Sequence, residues 1–260
     1  MSTHSTFVWH ELMTTDPVAA TAFYTAVIGW KAQDSGMSEV PYTILSVGET
    51  PIGGLMELPI DARANGARPG WIGYIGVDDV DACAMRIKDA GGKQHRAPAD
   101  IPGVGRFAVV ADPQGAAFVL FKAASDEMPA PPPMGTPGTI GWNELQATDR
   151  DSAFAFYADI FGWTKGEAVD MGQMGIYQLF KTGGESAVGG MMNRMPMLPM
   201  PFWAYYISVE EINAAIGRVT AHGGQIVNGP HQVPGGSWIA HGLDPQGAMF
   251  ALVGPGQVEG

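Results

Sequence analysis

The feature that most constrains the fold of this chain is a segment that occurs twice. Residues 9–16 read Trp-His-Glu-Leu-Met-Thr-Thr-Asp, and residues 142–149 read Trp-Asn-Glu-Leu-Gln-Ala-Thr-Asp. A Phe-Tyr pair and a Gly-Trp pair follow each copy, and the offset between the copies stays at 133 residues. An internal repeat of this length predicts two similar domains in one chain.

Composition limits the class of protein. The 260 residues are 46% hydrophobic, which is enough to fill a core and argues against intrinsic disorder. A net charge of −12 repels phosphate, so we expect no nucleic-acid partner. No long apolar or basic amphipathic segment indicates a membrane partner. The single cysteine, Cys83, excludes an internal disulfide, and the first residues lack signal-peptide features, so we expect a cytoplasmic protein.

Local patterns predict alternating strands and helices. Residues 7–14 alternate and are rich in aromatics, which indicates a strand. Asp16 and Pro17 suit the start of a helix, Gly29 suits its end, and Asp149 starts the copy of that helix. Further strands are predicted at 41–47, 52–58, 71–77, 106–111, 116–121, 175–180, 186–192 and 203–209, and in a final hairpin that turns at 244–247. Two more helices are predicted after Asp79 and from Glu210, a loop at 62–69, and a proline-rich interdomain linker near 125–138.

These motifs together carry a resemblance. Three kinds of motif are similar to those of the vicinal oxygen chelate superfamily. They are the Phe-Tyr-x4-Gly-Trp openings, the Asp-Pro-Gln-Gly turns at 112–115 and 244–247, and the Val-Asp-Asp-Val-Asp segment at 77–81. That superfamily includes glyoxalase I, bleomycin-resistance proteins and extradiol dioxygenases. More narrowly, the chain resembles tandem glyoxalase-like proteins described as hydroxylase-like or mycobacterial antigen-like.

The resemblance implies an α+β fold with tandem glyoxalase-like domains. Each domain would contain two βαβββ units that form a cupped mixed sheet. The implied boundaries are a first domain at 1–123, a Pro-rich linker at 124–138 and a second domain at 139–260.

The resemblance also implies where metal ligands would stand in metal-dependent members. Four strand positions in each half correspond to them. In the first half they hold Trp9, Met56 or Glu57, Ile72 and Val119, and in the second half Trp142, Met192 or Asn193, Ala204 and Ala251. Indole and alkyl groups do not coordinate divalent cations. We therefore expect neither a metal nor another cofactor.

Two glutamates are the candidate catalytic residues. Side chains alternate along a strand, so Glu11 should share a face with Trp9, and Glu144 with Trp142. Burial beside an indole disfavours the charged form of a carboxyl group, and such a group can act as a general acid or base. The alternative is that each glutamate pairs with a buried arginine or a backbone amide and only stabilises the fold.

The candidate substrate-binding residues come from both halves of the chain. They are Trp9, Trp142, Tyr74, Tyr206, Arg106, Trp238, Met56 and Met192. Tyr74 and Tyr206 could instead be core residues with satisfied hydroxyls. Arg106 could hold a ligand carboxylate, or it could lie on the surface and pair with Asp100 or Glu11. His231 and His241 could approach one another and are an alternative candidate for a metal pair.

The sequence thus predicts a protein that binds a small carbonyl-bearing or aromatic metabolite without a metal, as a monomer or a homodimer. One hypothesis is an enzyme of the isomerase, lyase or hydratase type that transfers a proton through a glutamate. A second is a protein that sequesters a toxin or antibiotic without catalysis, as bleomycin-resistance proteins do. A third is a metal-dependent glyoxalase with displaced ligands.

Overall fold

The computed structural model describes residues 5–37, 40–125, 132–196 and 198–256. The strands of the first repeat are β1 (Phe7–Thr14), β2 (Lys31–Asp34), β3 (Tyr42–Val47), β4 (Thr50–Glu57), β5 (Gly70–Gly76), β6 (Lys93–Ile101), β7 (Gly105–Ala111) and β8 (Ala117–Ala123). Its helices are α1 (Pro17–Ile28), α2 (Ile60–Ala64) and α3 (Val80–Asp89).

The second repeat follows the same order. Its strands are β9 (Ile140–Ala147), β10 (Thr164–Asp170), β11 (Ile176–Lys181), β12 (Gly189–Asn193), β13 (Phe202–Ser208), β14 (Gln225–Gln232), β15 (Trp238–Leu243) and β16 (Met249–Gly254). Its helices are α4 (Arg150–Phe161) and α5 (Ile212–Ala221), with a 3-10 turn at Gly172–Met174.

Each repeat contributes one eight-stranded mixed sheet. The strand orders are β2-β3-β4-β1-β5-β8-β7-β6 and β10-β11-β12-β9-β13-β16-β15-β14. The pairs β1–β4, β5–β8, β12–β9 and β13–β16 are parallel, whereas the outer pairs are antiparallel. The predicted α+β fold with tandem mixed sheets is confirmed.

The helix boundaries lie where their capping residues predict them. The side chain of Asp16 accepts a hydrogen bond from the Ala19 amide at 2.9 Å, and Asp149 does the same for Ser152 at 2.7 Å. Gly29 and Gly162 end these helices with φ of 87° and 70°, a left-handed conformation that glycine adopts without steric cost.

Four strands and one short helix were not predicted. The strands β2, β6, β10 and β14 lie at the edges of the sheets, and their side chains are largely polar and exposed. They show little hydrophobic alternation, because an edge strand can leave both faces partly in water. The predicted loop at 62–69 was partly wrong, because α2 occupies its first residues.

The chain divides into two compact units, and each unit draws on both repeats. One contains Met1–Trp9, Ile72–Met128 and Trp142–Ala204, and the other contains His10–Trp71, Pro129–Gly141 and Tyr205–Gly260. The domain boundaries given by the repeats, 1–123 and 139–260, stay a prediction. Residues 126–131 of the predicted linker lie outside the described residues.

In the unit that contains β3, the repeated motifs form part of the core. The Tyr24 hydroxyl donates to the Asp244 carboxylate at 3.2 Å and accepts from the Trp71 indole at 2.9 Å. The Trp30 indole donates to the Gly138 carbonyl at 2.6 Å. The Phe-Tyr motif of the first repeat therefore contacts the Asp-Pro-Gln-Gly turn of the second.

The other unit repeats these contacts with the roles of the repeats exchanged. The Tyr157 hydroxyl donates to the Asp112 carboxylate at 3.1 Å and accepts from the Trp203 indole at 3.0 Å. The Trp163 indole donates to the Ser5 carbonyl. The motifs that carry the family resemblance thus have structural roles. Among the described residues, no helix is long and apolar enough to cross a bilayer.

Candidate functional site

The second repeat holds a buried carboxylate between two neutral donors. Glu144 lies on β9 and is 7% exposed. Its Oε2 accepts from the Tyr177 hydroxyl at 2.9 Å, and its Oε1 accepts from the Gln146 amide at 2.7 Å. A buried carboxylate is costly unless its oxygens are hydrogen-bonded, and these two contacts meet that requirement.

The direction of the proton in this cluster follows from donor chemistry. The Trp142 indole donates to the Tyr177 hydroxyl at 2.8 Å, and an indole nitrogen can only donate. The Tyr177 proton is therefore free to point at Glu144. Burial, and then the charge of Glu144, raise the pKa of Tyr177 well above its usual value. The phenol is consequently a neutral hydrogen-bond donor over the physiological range.

One glycine makes room for this tyrosine, and the glycine before it lies against the neighbouring strand. Gly190 on β12 lies opposite Glu144 in the parallel register. A Cβ atom on Gly190 would fall 2.2 Å from Cζ of Tyr177 and 2.6 Å from its hydroxyl oxygen. At the preceding position, a Cβ atom on Gly189 would fall 2.0 Å from the Asn143 carbonyl oxygen. Any side chain at these positions would displace the ring or the neighbouring strand.

The first repeat has a corresponding buried glutamate, Glu11. Glu11 on β1 is 5% exposed and lies opposite Gly54 on β4. A Cβ atom on Gly54 would fall 1.8 Å from the Tyr42 hydroxyl oxygen, so the Tyr42 ring lies across Gly54. Both predicted catalytic glutamates are thus buried on strands beside a tyrosine-covered glycine.

The sequence interpretation missed Tyr42 and Tyr177. Their positions differ by 135 residues and the Gly-Gly pairs at 53–54 and 189–190 differ by 136, so neither keeps the offset of 133 that reveals the repeat. A Gly-Gly pair inside an apolar strand is the signal that could have found them, because glycine in a strand interior marks close approach of another group.

The two methionines predicted to bind substrate lie on the strands that pair with β9 and β1. Met192 is buried on β12 and pairs with Gln146, while Met56 is half-buried on β4 and pairs with Met13. The position of Gln146 in the second repeat is therefore occupied by Met13 in the first. Trp9 is half-buried at the middle of β1.

Tyr206 belongs to a second polar cluster, on β13, β14 and β15. Its hydroxyl lies 2.9 Å from Nε2 of His241, and Nδ1 of His241 lies 3.1 Å from the Asn228 amide nitrogen. The Asn228 oxygen lies 3.0 Å from Nε2 of the exposed His231. Both histidines therefore contact the side-chain amide of Asn228. Tyr74, the counterpart of Tyr206, is buried and packs edge-on against Phe121 with ring centroids 5.8 Å apart.

The remaining predicted residues lie elsewhere. Arg106 forms a two-bond pair with Asp81, at 2.6 and 2.8 Å, and a third bond with Asp100 at 2.9 Å. The bond to Asp100 is the pairing that the sequence offered as the alternative to binding a ligand carboxylate. Trp238 is half-buried and packs against the core that includes Phe250. The binding roles of both residues stay predictions.

The donor set around Glu144 does not fit a metal ion. It consists of one carboxylate, a phenol, an amide and an indole, whereas protein sites for divalent ions combine several carboxylates, imidazoles or thiolates. Across the described part of the chain, no three His, Cys, Asp or Glu side chains are grouped closely enough to hold a metal.

Comparison with known proteins identifies relatives of both repeats. Residues 6–120 and 139–252 each match the model of the "Glyoxalase/Bleomycin resistance protein/Dioxygenase superfamily". The chain is 33% identical over 253 residues to "Putative glyoxylase CFP32" of Mycobacterium tuberculosis, covering 95% of this chain and 94% of that protein. It is 31% identical over 259 residues to "Anthracycline biosynthesis protein DnrV" of Streptomyces peucetius, covering 94% and 91%.

Solved structures show the same fold at low identity. A Mn(II)-bound glyoxalase from Novosphingobium aromaticivorans has a TM-score of 0.63 at 16% identity, covering 97% of this chain and 82% of that one. The 2,2',3-trihydroxybiphenyl 1,2-dioxygenase of Sphingomonas wittichii has a TM-score of 0.63 at 15% identity, covering 98% and 91%. At such identities the likeness extends to the fold alone.

Proposed function

Because the chain belongs to the glyoxalase/bleomycin resistance protein/dioxygenase superfamily, we propose that it binds a small carbonyl-bearing or aromatic metabolite and transfers a proton on it through Glu144, without a metal. The observation that carries this proposal is the buried Glu144 carboxylate, which accepts from Tyr177 and Gln146. Both donors are neutral, so neither cancels its charge.

The chemistry of such a carboxylate suits proton abstraction next to a carbonyl. A carboxylate that hydrogen bonds hold in one orientation can act as a general base on a substrate proton that lies within hydrogen-bond reach. In an isomerase, Glu144 would take a proton from the carbon beside the carbonyl and return it to another carbon. In a lyase or hydratase, it would take the same proton and give it to a hydroxyl group that leaves the next carbon as water. Tyr177 and Gln146 would hold the carboxylate in one orientation during both steps.

The relatives support the ligand class. The name of one relative contains "glyoxylase" and that of another "anthracycline biosynthesis". The match with this chain covers more than nine-tenths of the length of each relative. The half-buried indole of Trp142 and the buried Met192 are apolar side chains of a type that suits an aromatic ring. We also propose that the protein is cytoplasmic and binds no nucleic acid, on the basis of its single cysteine and net charge of −12.

The proposal is tested with 6-hydroxy-2-acetonaphthone, a fluorescent aromatic methyl ketone. Fluorescence titration measures binding, and proton NMR in deuterated water measures exchange of its methyl protons. We expect saturable binding and protein-dependent exchange. Glu144→Gln should slow the exchange by about 10²–10⁴-fold and leave binding within a few-fold, because only the base is lost.

Glu11→Gln tests the other predicted catalytic glutamate, in the first repeat. If Glu144 is the base, this variant should keep the exchange rate of the unmodified protein. Absence of saturable binding to the unmodified protein, or exchange that survives Glu144→Gln, would contradict the proposal.

A non-catalytic role is the second candidate. The observation that favours it is that both Glu144 oxygens already accept hydrogen bonds within the protein. A sequestering protein would bind the ketone stoichiometrically and release it with its methyl protons unexchanged.

A further inference from the structure

The Glu144 site contains a buried acceptor without a partner. Gln146 is 7% exposed, and its Oε1 is buried and has no hydrogen-bond partner. A buried polar atom left in this state costs about 1–3 kcal/mol, so native proteins retain few of them. Such an atom needs an explanation, and a ligand donor would supply one.

Rotating the amide does not remove the problem. The Gln146 nitrogen donates to the Glu144 carboxylate at 2.7 Å. If the amide were flipped, its oxygen would face the carboxylate oxygen, and two acceptors would be in contact. The hydrogen bond to Glu144 therefore determines which end of the amide remains without a partner.

The unpaired acceptor is specific to the second repeat. Residue 13, at the equivalent position of the first repeat, is a methionine, which fills the same place on β1 with an apolar side chain. The two registers correspond, because Gln146 pairs with Met192 and Met13 pairs with Met56. An apolar side chain is thus compatible with this position of the fold. The unpaired oxygen of Gln146 therefore lowers the stability of the protein, and the fold does not require a glutamine at this position.

We infer that Gln146 determines ligand specificity in the second repeat by accepting a hydrogen bond from a hydroxyl or N–H group of the ligand. This inference rests on the proposed function and narrows it from carbonyl-bearing or aromatic compounds to those that also carry a donor. Residues 144 and 146 are two apart on β9, so their side chains lie on the same face and are close enough for one ligand to contact both through different groups. The first repeat, with Met13, lacks this selectivity.

The test compares two probes that differ only in the donor. These are 6-hydroxy-2-acetonaphthone and 6-methoxy-2-acetonaphthone, titrated by fluorescence against the full chain. The unmodified protein should bind the hydroxy compound about tenfold more tightly, the value expected of one neutral hydrogen bond to an otherwise unsatisfied group. Gln146→Met, which introduces the first-repeat residue, should bring the ratio of the two affinities close to one.

The ratio of the two probe affinities distinguishes a hydrogen bond to Gln146 from a general effect of the substitution on the site. Gln146→Met also removes the donor to Glu144, but that loss affects both probes. Gln246→Met is the matched control, because Oε1 of Gln246 is also buried and unpaired but lies in the Asp-Pro-Gln-Gly turn. This variant should retain the tenfold preference.

The outcomes distinguish the two proposals. Equal affinity of the unmodified protein for both probes, or an unchanged preference in Gln146→Met, overturns the role of Gln146 while leaving the proposed function intact. Failure of both probes to bind overturns the proposed function. A crystal structure of the complex in which a water molecule, and no ligand atom, contacts Oε1 of Gln146 also overturns the inference.

Discussion

Replacing Tyr157 with phenylalanine removes one oxygen atom from the centre of a buried hydrogen-bond chain. The Tyr157 hydroxyl accepts from the Trp203 indole at 3.0 Å and donates to Asp112 at 3.1 Å. Trp203 is 5% exposed and Asp112 is 2% exposed, so water has little access to either partner. The substitution therefore leaves a donor and a charged acceptor each short of one bond.

The expected cost follows from these two groups. A buried group that loses its partner costs about 1–3 kcal/mol, so Tyr157→Phe should lower the free energy of unfolding by about 2–4 kcal/mol. Asp112 keeps part of its support, because its other oxygen accepts from the amides of Gln114, Gly115 and Ala116. For a protein of this size the corresponding fall in Tm is roughly 4–16 °C.

Tyr24→Phe is the matched substitution in the other compact unit. Tyr24 has the same two kinds of partner, Trp71 and Asp244, but Trp71 is only half-buried. Its indole can find water after the substitution, so the loss should be smaller, about 1–2 kcal/mol. Urea denaturation followed by tryptophan fluorescence measures both variants. A loss below about 0.5 kcal/mol in Tyr157→Phe would refute the reasoning.

The cost of Tyr157→Phe should also depend on pH. Burial raises the pKa of Asp112, while hydrogen bonds from backbone amides and from Tyr157 lower it. A raised pKa in the folded state means that stability falls as pH rises through that pKa. Removing Tyr157 raises this pKa further. The destabilisation, measured by urea denaturation, should therefore be larger above that pKa, where Asp112 is ionised, than below it, and the reverse order would contradict this assignment.

Three further predictions test the fold and the site. Gly190→Ala should weaken binding of the ketone probe about tenfold, because its Cβ displaces Tyr177, whereas Gly184→Ala, whose Cβ meets no atom within 4 Å, should not. Gly217→Ala, at an exposed position within α5 with open space around it, should raise the free energy of unfolding by about 0.5–1 kcal/mol in urea denaturation. Cleavage at a protease site placed between residues 125 and 132 should leave the two fragments together in size-exclusion chromatography, because each compact unit contains segments of both. Separation of the fragments without denaturant would contradict the described units.

Much of the fold could be predicted because its signals are local. Asp16, Pro17 and Gly29 specify the start and end of α1 within a few residues of chain, and the copy at Asp149 and Gly162 does the same for α4. Strands with one buried face were also predicted. The edge strands β2 and β10 were missed because their polar residues leave no hydrophobic period to detect.

The candidate site was predicted only in part. Strand alternation placed Glu144 beside Trp142 on one face, and the structure connects the two through Tyr177. Tyr177 is 33 residues from Glu144 in the chain. No local pattern associates them, since their contact depends on how β11 and β12 pair with β9. The unpaired oxygen of Gln146 likewise becomes visible only when the surroundings of the amide are known.

The sequence by itself determined that this protein has two related halves, with helices capped by aspartate and reversals made by Asp-Pro-Gln-Gly turns. Such features depend on backbone preferences over a few residues. Only the tertiary structure decided that Tyr24 meets Asp244, that Tyr157 meets Asp112, and that each compact unit therefore uses segments of both halves. These pairings join residues 220 and 45 positions apart, and they are selected by burial of the whole aromatic core.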